Sequence, residues 1–224
     1  MMKSLYIAAK DLKAEFRTKQ MLNSMLIFSL IVIVIFSISF GDLLSQPDIV
    51  AKLAPGVLWI AFTFAGTLGL SRSFAGEIEN GCLEGLKLSP IDRGSIYTGK
   101  TISGAVLMFT VEILTIPIFI VLFNYNITGI IGLAIVIFLG TVGFMSVGTL
   151  LSALSASTRT REIMLPVLLL PLIIPVIIPA VMATGKILID GDIGNILSEL
   201  RLLLVYDLIF FIIGQLVFEY TIMD

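Results

Sequence analysis

Long uncharged apolar runs alternate with short polar segments along this chain. Residues 1–21 are the exception. There Leu5, Ala9, Leu12 and Phe16 recur at helical spacing, while Lys3, Lys10, Lys13 and Arg17 fall off that stripe. The pattern predicts an amphipathic helix with a basic face, suited to lying in a membrane interface. Six apolar runs follow, at 22–40, 53–71, 101–123, 127–154, 163–183 and 202–218. About 20 residues of helix cross a hydrocarbon core. In lipid each backbone amide must be paired within its own segment, so these runs are expected to be helices. The fold class that follows is an all-α integral membrane protein. An interfacial elbow helix (1–21) precedes one six-helix membrane domain (22–224).

Smaller features punctuate the runs. Trp59 stands near the start of the second run, where tryptophan favours the membrane interface. Asn124, Tyr125 and Asn126 predict a tight turn, and 184–201 a loop of mixed character. Pro171, Pro175 and Pro179 recur every four residues, which predicts a fifth span that is either broken or statically kinked. Gly148, Ser152 and Ala156 form a row of small residues that lets helix backbones approach closely in lipid, against this chain or another subunit.

Composition agrees with the pattern. Charged residues are 13% of the chain, about half the share in soluble domains, and the mean hydropathy is +1.09. A net charge of −2 gives no basis for nucleic-acid binding. One cysteine, Cys82, excludes an internal disulfide, and the absence of histidine argues against a bis-histidine heme site. The charges before the first run do not suit a cleavable signal peptide.

With six spans both termini lie on one side. Of the 14 Lys and Arg, all but Lys52, Lys186 and Arg201 fall on that side. The positive-inside rule therefore places both termini, and the segment after the second span, in the cytoplasm.

That segment, 72–100, is the most charged internal stretch, with Glu77, Glu79, Glu84 and Asp92 against Arg72, Lys87, Arg93 and Lys100. It is where a soluble partner could grip the protein. Phe74, Ile78, Leu83 and Leu86 supply apolar anchors, Glu77, Glu79 and Glu84 a charged rim, and Gly81 a turn or close approach, as in helix-in-groove contacts. Its end, Gly94 to Thr101, matches the phosphate-loop pattern letter for letter. That pattern works between a buried strand and a helix. Here the expectation is that the glycines loosen the start of the third span while Lys100 snorkels to the interface. Two acids fall within spans, Glu112 and Asp207, and intramembrane acids are functional by default. They raise an ion- or proton-translocation reading. Against it, Glu112 could be protonated or bonded to neighbouring helices, and Asp207 could reach toward Arg201.

The stretch Ser71-Arg72-Ser73-Phe74, then Glu77 through Leu86, Ser89-Pro90 and Gly99-Lys100, resembles the cytosolic coupling segment of ABC-2-type transporter permeases. Within them the chain resembles the cytochrome c maturation protein B family, also called heme exporter protein B. Similar motifs are Ala54-Pro55-Gly56-Val57-Leu58-Trp59, Leu139-Gly140-Thr141, the proline-rich 165–179 and the opening 12–17. Cys82 departs from the Ser or Thr more often expected there. The resemblance implies a permease subunit of an ABC complex for cytochrome c biogenesis in the inner membrane. A separate cytosolic ATPase would bind ATP, and a heme-handling membrane subunit would carry heme. This subunit would bind no cofactor and would couple ATP hydrolysis to release of a heme-loaded chaperone. The alternatives are an ABC-2 exporter permease for a lipid or drug, and an ion-coupled carrier.

Overall fold

The computed structural model describes residues 2–73, 92–124, 129–156 and 161–221. Seven α-helices follow one another: α1 (Met2–Thr18), α2 (Gln20–Phe40), α3 (Pro47–Ser73), α4 (Arg93–Leu122), α5 (Ile130–Ala156), α6 (Arg161–Asp190) and α7 (Leu197–Thr221). The last six contain the stretches long and apolar enough to cross a membrane. The surface makes the same point. On α2, Ile27, Ile31, Val34, Ile35 and Ile38 face outward, and on α7 Leu202, Val205, Leu208, Ile212 and Leu216 do so. Contiguous apolar faces of that kind are stable against lipid rather than water.

The bundle is built around α5, which packs against α3, α4, α6 and α7. Helix α6 shows why its prolines are tolerated. Its buried stripe is Leu165, Leu169, Ile173, Val176, Ala180, Ala183 and Ile187, at spacings of three and four. Pro171 and Pro175 lie off that stripe on the outer face, whereas Pro179 is buried. The helix runs unbroken through all four of its prolines. Of the two sequence-based expectations for this span, a break is therefore not what forms.

Other expectations are also revised. The third span begins at Arg93 instead of 101. The mixed segment 184–201 is mostly helical, because α6 continues to Asp190 and α7 starts at Leu197 after a 3₁₀ turn at Ile193–Ile196. Ile187 and Leu188 are buried there, so the core extends the helix. Gly191, at φ 68, supplies the left-handed residue that turns the chain. Lys186 pairs with Glu199 at 2.6 Å across the turn, so neither charge is stranded beside the apolar core. Trp59 packs inside the bundle and not on its surface. It is 2% exposed, and its indole N–H donates to Thr184 Oγ1 at 3.0 Å.

The row of small residues on α5 finds its neighbour within this chain. Gly148 packs on Leu70 of α3, and the Ser152 hydroxyl donates to the Leu70 carbonyl at 2.6 Å. Helix α1 turns into α2 at Lys19, whose φ is 55. The Glu15 carboxylate accepts from the backbone N–H groups of Met21 and Leu22 at 2.8 and 2.9 Å. It thereby satisfies two amides that a helix start otherwise leaves unpaired.

Candidate functional site

Helix α1 has two working faces. Ser4, Ile7 and Ala8 are buried against the bundle, while Leu5 and Phe16 of the amphipathic stripe are exposed. The packed face meets the first turns of α4. Gly99 is the point of closest approach, because an added Cβ would strike the Ser4 carbonyl and the Ile7 side chain. One residue on, Lys100 is 4% exposed and pairs with Asp11 Oδ2 at 3.0 Å. The same ammonium donates to the Ser73 carbonyl at 3.2 Å.

Lys100 therefore does not snorkel into solvent. It is buried because two oxygen acceptors from separate helices converge on it, which compensates a charge taken out of water. The look-alike phosphate loop acquires a structural meaning. Gly94 to Thr101 is continuous helix, not the loop between strand and helix that a phosphate site requires, and its lysine is already paired. Gly99 admits α1, Lys100 ties α1 to α3, and the Thr101 hydroxyl donates to its own Tyr97 carbonyl.

Tyr97 completes the junction. Its ring is buried between Phe211 and Phe218 of α7, and its hydroxyl donates to the Ser146 carbonyl of α5 at 2.9 Å. The first turns of α4 thus touch α1, α3, α5 and α7. A cavity of about 580 Å³ opens beside this knot, with Lys10, Asp11, Arg72 and Lys100 on its wall and Met25 and Met145 among its apolar residues. The knot grips the chain at both ends of the predicted coupling segment, at Ser73 and at 93–100. The named coupling residues Phe74, Glu77, Ile78, Glu79, Gly81, Leu83, Glu84 and Leu86 lie outside the described residues.

The two intramembrane acids are both buried, Glu112 at 1% and Asp207 at 7% exposure. Glu112 Oε1 accepts from the Thr141 hydroxyl of α5 at 2.6 Å, and its Oε2 has no hydrogen-bond partner among the described residues. Asp207 does not reach Arg201, which is exposed. It lies instead against Gly143 of α5, which has no side chain to displace it. Thr141 and Gly143 are about 3 Å apart along the helix axis. The acids thus flank α5 at one level, on opposite sides. Sequence reasoning singled out Lys100, Glu112 and Asp207, and quoted Ser73 and Thr141 only within motifs, without the bonds they make; it missed Asp11. An acid in the otherwise basic 1–13 segment was the available signal for Asp11.

A bundle of six helices long and apolar enough to cross a membrane defines a multi-pass membrane protein. Residues 2–218 match the family described as CcmB protein. Heme exporter protein B of Rhodobacter capsulatus is 30% identical over 165 residues, 74% of this chain and 74% of that one. The protein of the same name from Escherichia coli K12 is 32% identical over 93 residues, 42% of this chain and 41% of its own length. That of Pseudomonas aeruginosa is 27% identical over 165 residues, 74% of this chain and 73% of its own. The chain belongs to the CcmB family.

Proposed function

We propose that this chain is the permease subunit of an ABC transporter complex for cytochrome c biogenesis. A separate cytosolic ATPase supplies the energy. The relatives named heme exporter protein B support a role in heme export. In this reading residues 72–100 are the coupling segment, α1 is the interfacial elbow, and both termini face the cytoplasm. Heme and ATP are held by partner subunits, and ATP hydrolysis drives release of a heme-loaded chaperone.

The observation that carries the coupling role is the double grip of Lys100. Because its ammonium holds Asp11 and the Ser73 carbonyl together, a displacement of the 74–91 segment is felt at once by α1, α3 and α4. A loop with no mechanical duty needs no such anchorage. Affinity purification of the full complex tests the reading. The chain is expected to bring down an ATPase and a heme-handling membrane subunit, and ATP is expected to release the loaded chaperone. Recovery with an ATPase but without heme-handling partners would favour an exporter for a lipid or drug.

A second reading draws on one observation, the two buried acids at one level of α5. An ion-coupled carrier built on Glu112 and Asp207 would work in vesicles containing this chain alone. Transport that requires the ATPase counts against it.

A further inference from the structure

The cavity of about 580 Å³ beside the α1–α4 junction is graded in polarity. Lys10 of α1 and Arg72, in the last turn of α3, are exposed at its mouth. Its inner end is apolar. Met25 of α2, Leu107 of α4 and Met145 of α5 line it, and all three are buried. On α4, Leu107 lies about 10 Å beyond Lys100 along the helix axis. The grade therefore runs from the charged helix ends toward the middle of the apolar spans. A lipid in that leaflet is ordered in the same sense, with its headgroup at the helix ends and its chains pointing inward.

Charge points to the sign of the ligand. Lys10, Arg72 and Lys100 stand on the wall against Asp11 and Glu15. Both carboxylates are engaged. Asp11 faces Lys10 at 3.2 Å and Lys100 at 3.0 Å, and Glu15 caps the first amides of α2. Arg72 makes no hydrogen bond or ion pair with the described residues. Its guanidinium is a planar fork of donors that suits a phosphate. Basic pockets between membrane helices on the cytoplasmic side take the head groups of anionic lipids.

We propose that this cavity binds one anionic phospholipid of the cytoplasmic leaflet. The phosphodiester accepts from Arg72 at the mouth, and the start of an acyl chain lies toward Met25 and Leu107. A free phosphate would satisfy Arg72 but would leave the apolar end unfilled, so the lining favours a lipid over an ion. The choice of leaflet rests on the cytoplasmic placement of α1 in the proposed function. The test reads lipid retention, so it can fail while recovery of the ATPase succeeds.

The full chain in detergent is given equimolar phosphatidylglycerol and phosphatidylcholine with the same acyl chains, and native mass spectrometry counts the lipids retained. One phosphatidylglycerol should be held in preference by roughly fivefold, the effect of one cation beside an anionic headgroup. Arg72→Gln should bring the two lipids close to parity. Lys13→Gln, an exposed position of α1 outside the cavity wall, should leave the preference in place. Excess inorganic phosphate should not displace the lipid. Equal retention of both lipids by the unaltered chain would overturn the proposal, and so would a preference that survives Arg72→Gln. Equal losses in Arg72→Gln and Lys13→Gln would mean diffuse attraction to a basic surface, and displacement by phosphate a simple anion site. Either result also overturns it. The comparison of the two lipids needs no variant, and Arg72 is exposed, so its replacement removes no core contact.

Discussion

Lys100 on α4 and Asp11 on α1 are 3.0 Å apart, and the ammonium between them is almost wholly withdrawn from solvent. This pair fixes the N-terminal helix on the bundle. Breaking a fully buried pair by removing one partner costs about 3–5 kcal/mol. Asp11 is 18% exposed, so Lys100→Met should lower stability by a smaller amount, roughly 2–3 kcal/mol. Asp11→Asn should cost less still, and the double variant should cost less than the sum of the two. Thermal unfolding in detergent and protease cleavage after residues 10–19 measure both effects. Additive losses would show that the two charges do not interact.

The purified chain should neither bind nor hydrolyse ATP, because Gly94–Thr101 is helical and Lys100 is already paired. Titration with a fluorescent nucleotide analogue measures this. Saturable binding that Lys100→Ala abolishes would refute the structural account of the motif.

Thr141 gives Glu112 its one hydrogen bond among the described residues. Thr141→Val should therefore destabilise the bundle by about 1–3 kcal/mol, the cost of leaving a buried acceptor unpaired. In the Glu112→Leu background the same change should cost much less. A double-mutant cycle on unfolding midpoints gives the coupling directly.

Gly140 faces the ring of Trp59, and a Cβ there would overlap it. Gly140→Val should displace the indole from its place beside Thr184 and destabilise by about 1–3 kcal/mol through overpacking. The emission of Trp59 should move to longer wavelength as the ring leaves its buried site. An unchanged spectrum would place the ring elsewhere.

Gly81→Leu and Glu84→Lys, within the predicted coupling segment, should leave the helices folded while reducing ATPase retention or chaperone release. The cytosolic placement of that segment has its own test. Native Cys82 should label only from the cytoplasmic side, and Asn126→Cys only from outside. The reverse pattern would invert the topology.

The sequence exposed the six spans because lipid demands long uncharged runs, and the 53–71 and 163–183 runs lie within α3 and α6. It was less informative at helix ends. Gly94 to Lys100 and 184–190 looked like loops because they are polar or glycine-containing. Their helical state depends on partners distant in sequence: Asp11 for Lys100, and Glu199 for Lys186. On α1 the conspicuous stripe of Leu5 and Phe16 faces away from the protein. The less conspicuous Ser4, Ile7 and Ala8 make the contact. Small residues at a close approach carry little hydropathy signal, so the packed face did not show in the periodicity. Glu112 and Asp207 were visible as misplaced charges. Their common level on α5 was not, because it depends on how three helices are set against one another.

The meeting of four helices on the first turns of α4 has a kinematic consequence. Ile96, Tyr97, Gly99, Lys100 and Thr101 are all buried, so that stretch has no free side about which to roll. Turning α4 on its axis would pull Tyr97 from Ser146, Lys100 from Asp11 and Gly99 from Ser4 together. Rotation of α4 alone is therefore the stiff mode. A load at Ser73 or Arg93 is instead shared among α1, α3, α5 and α7 through the contacts of that stretch.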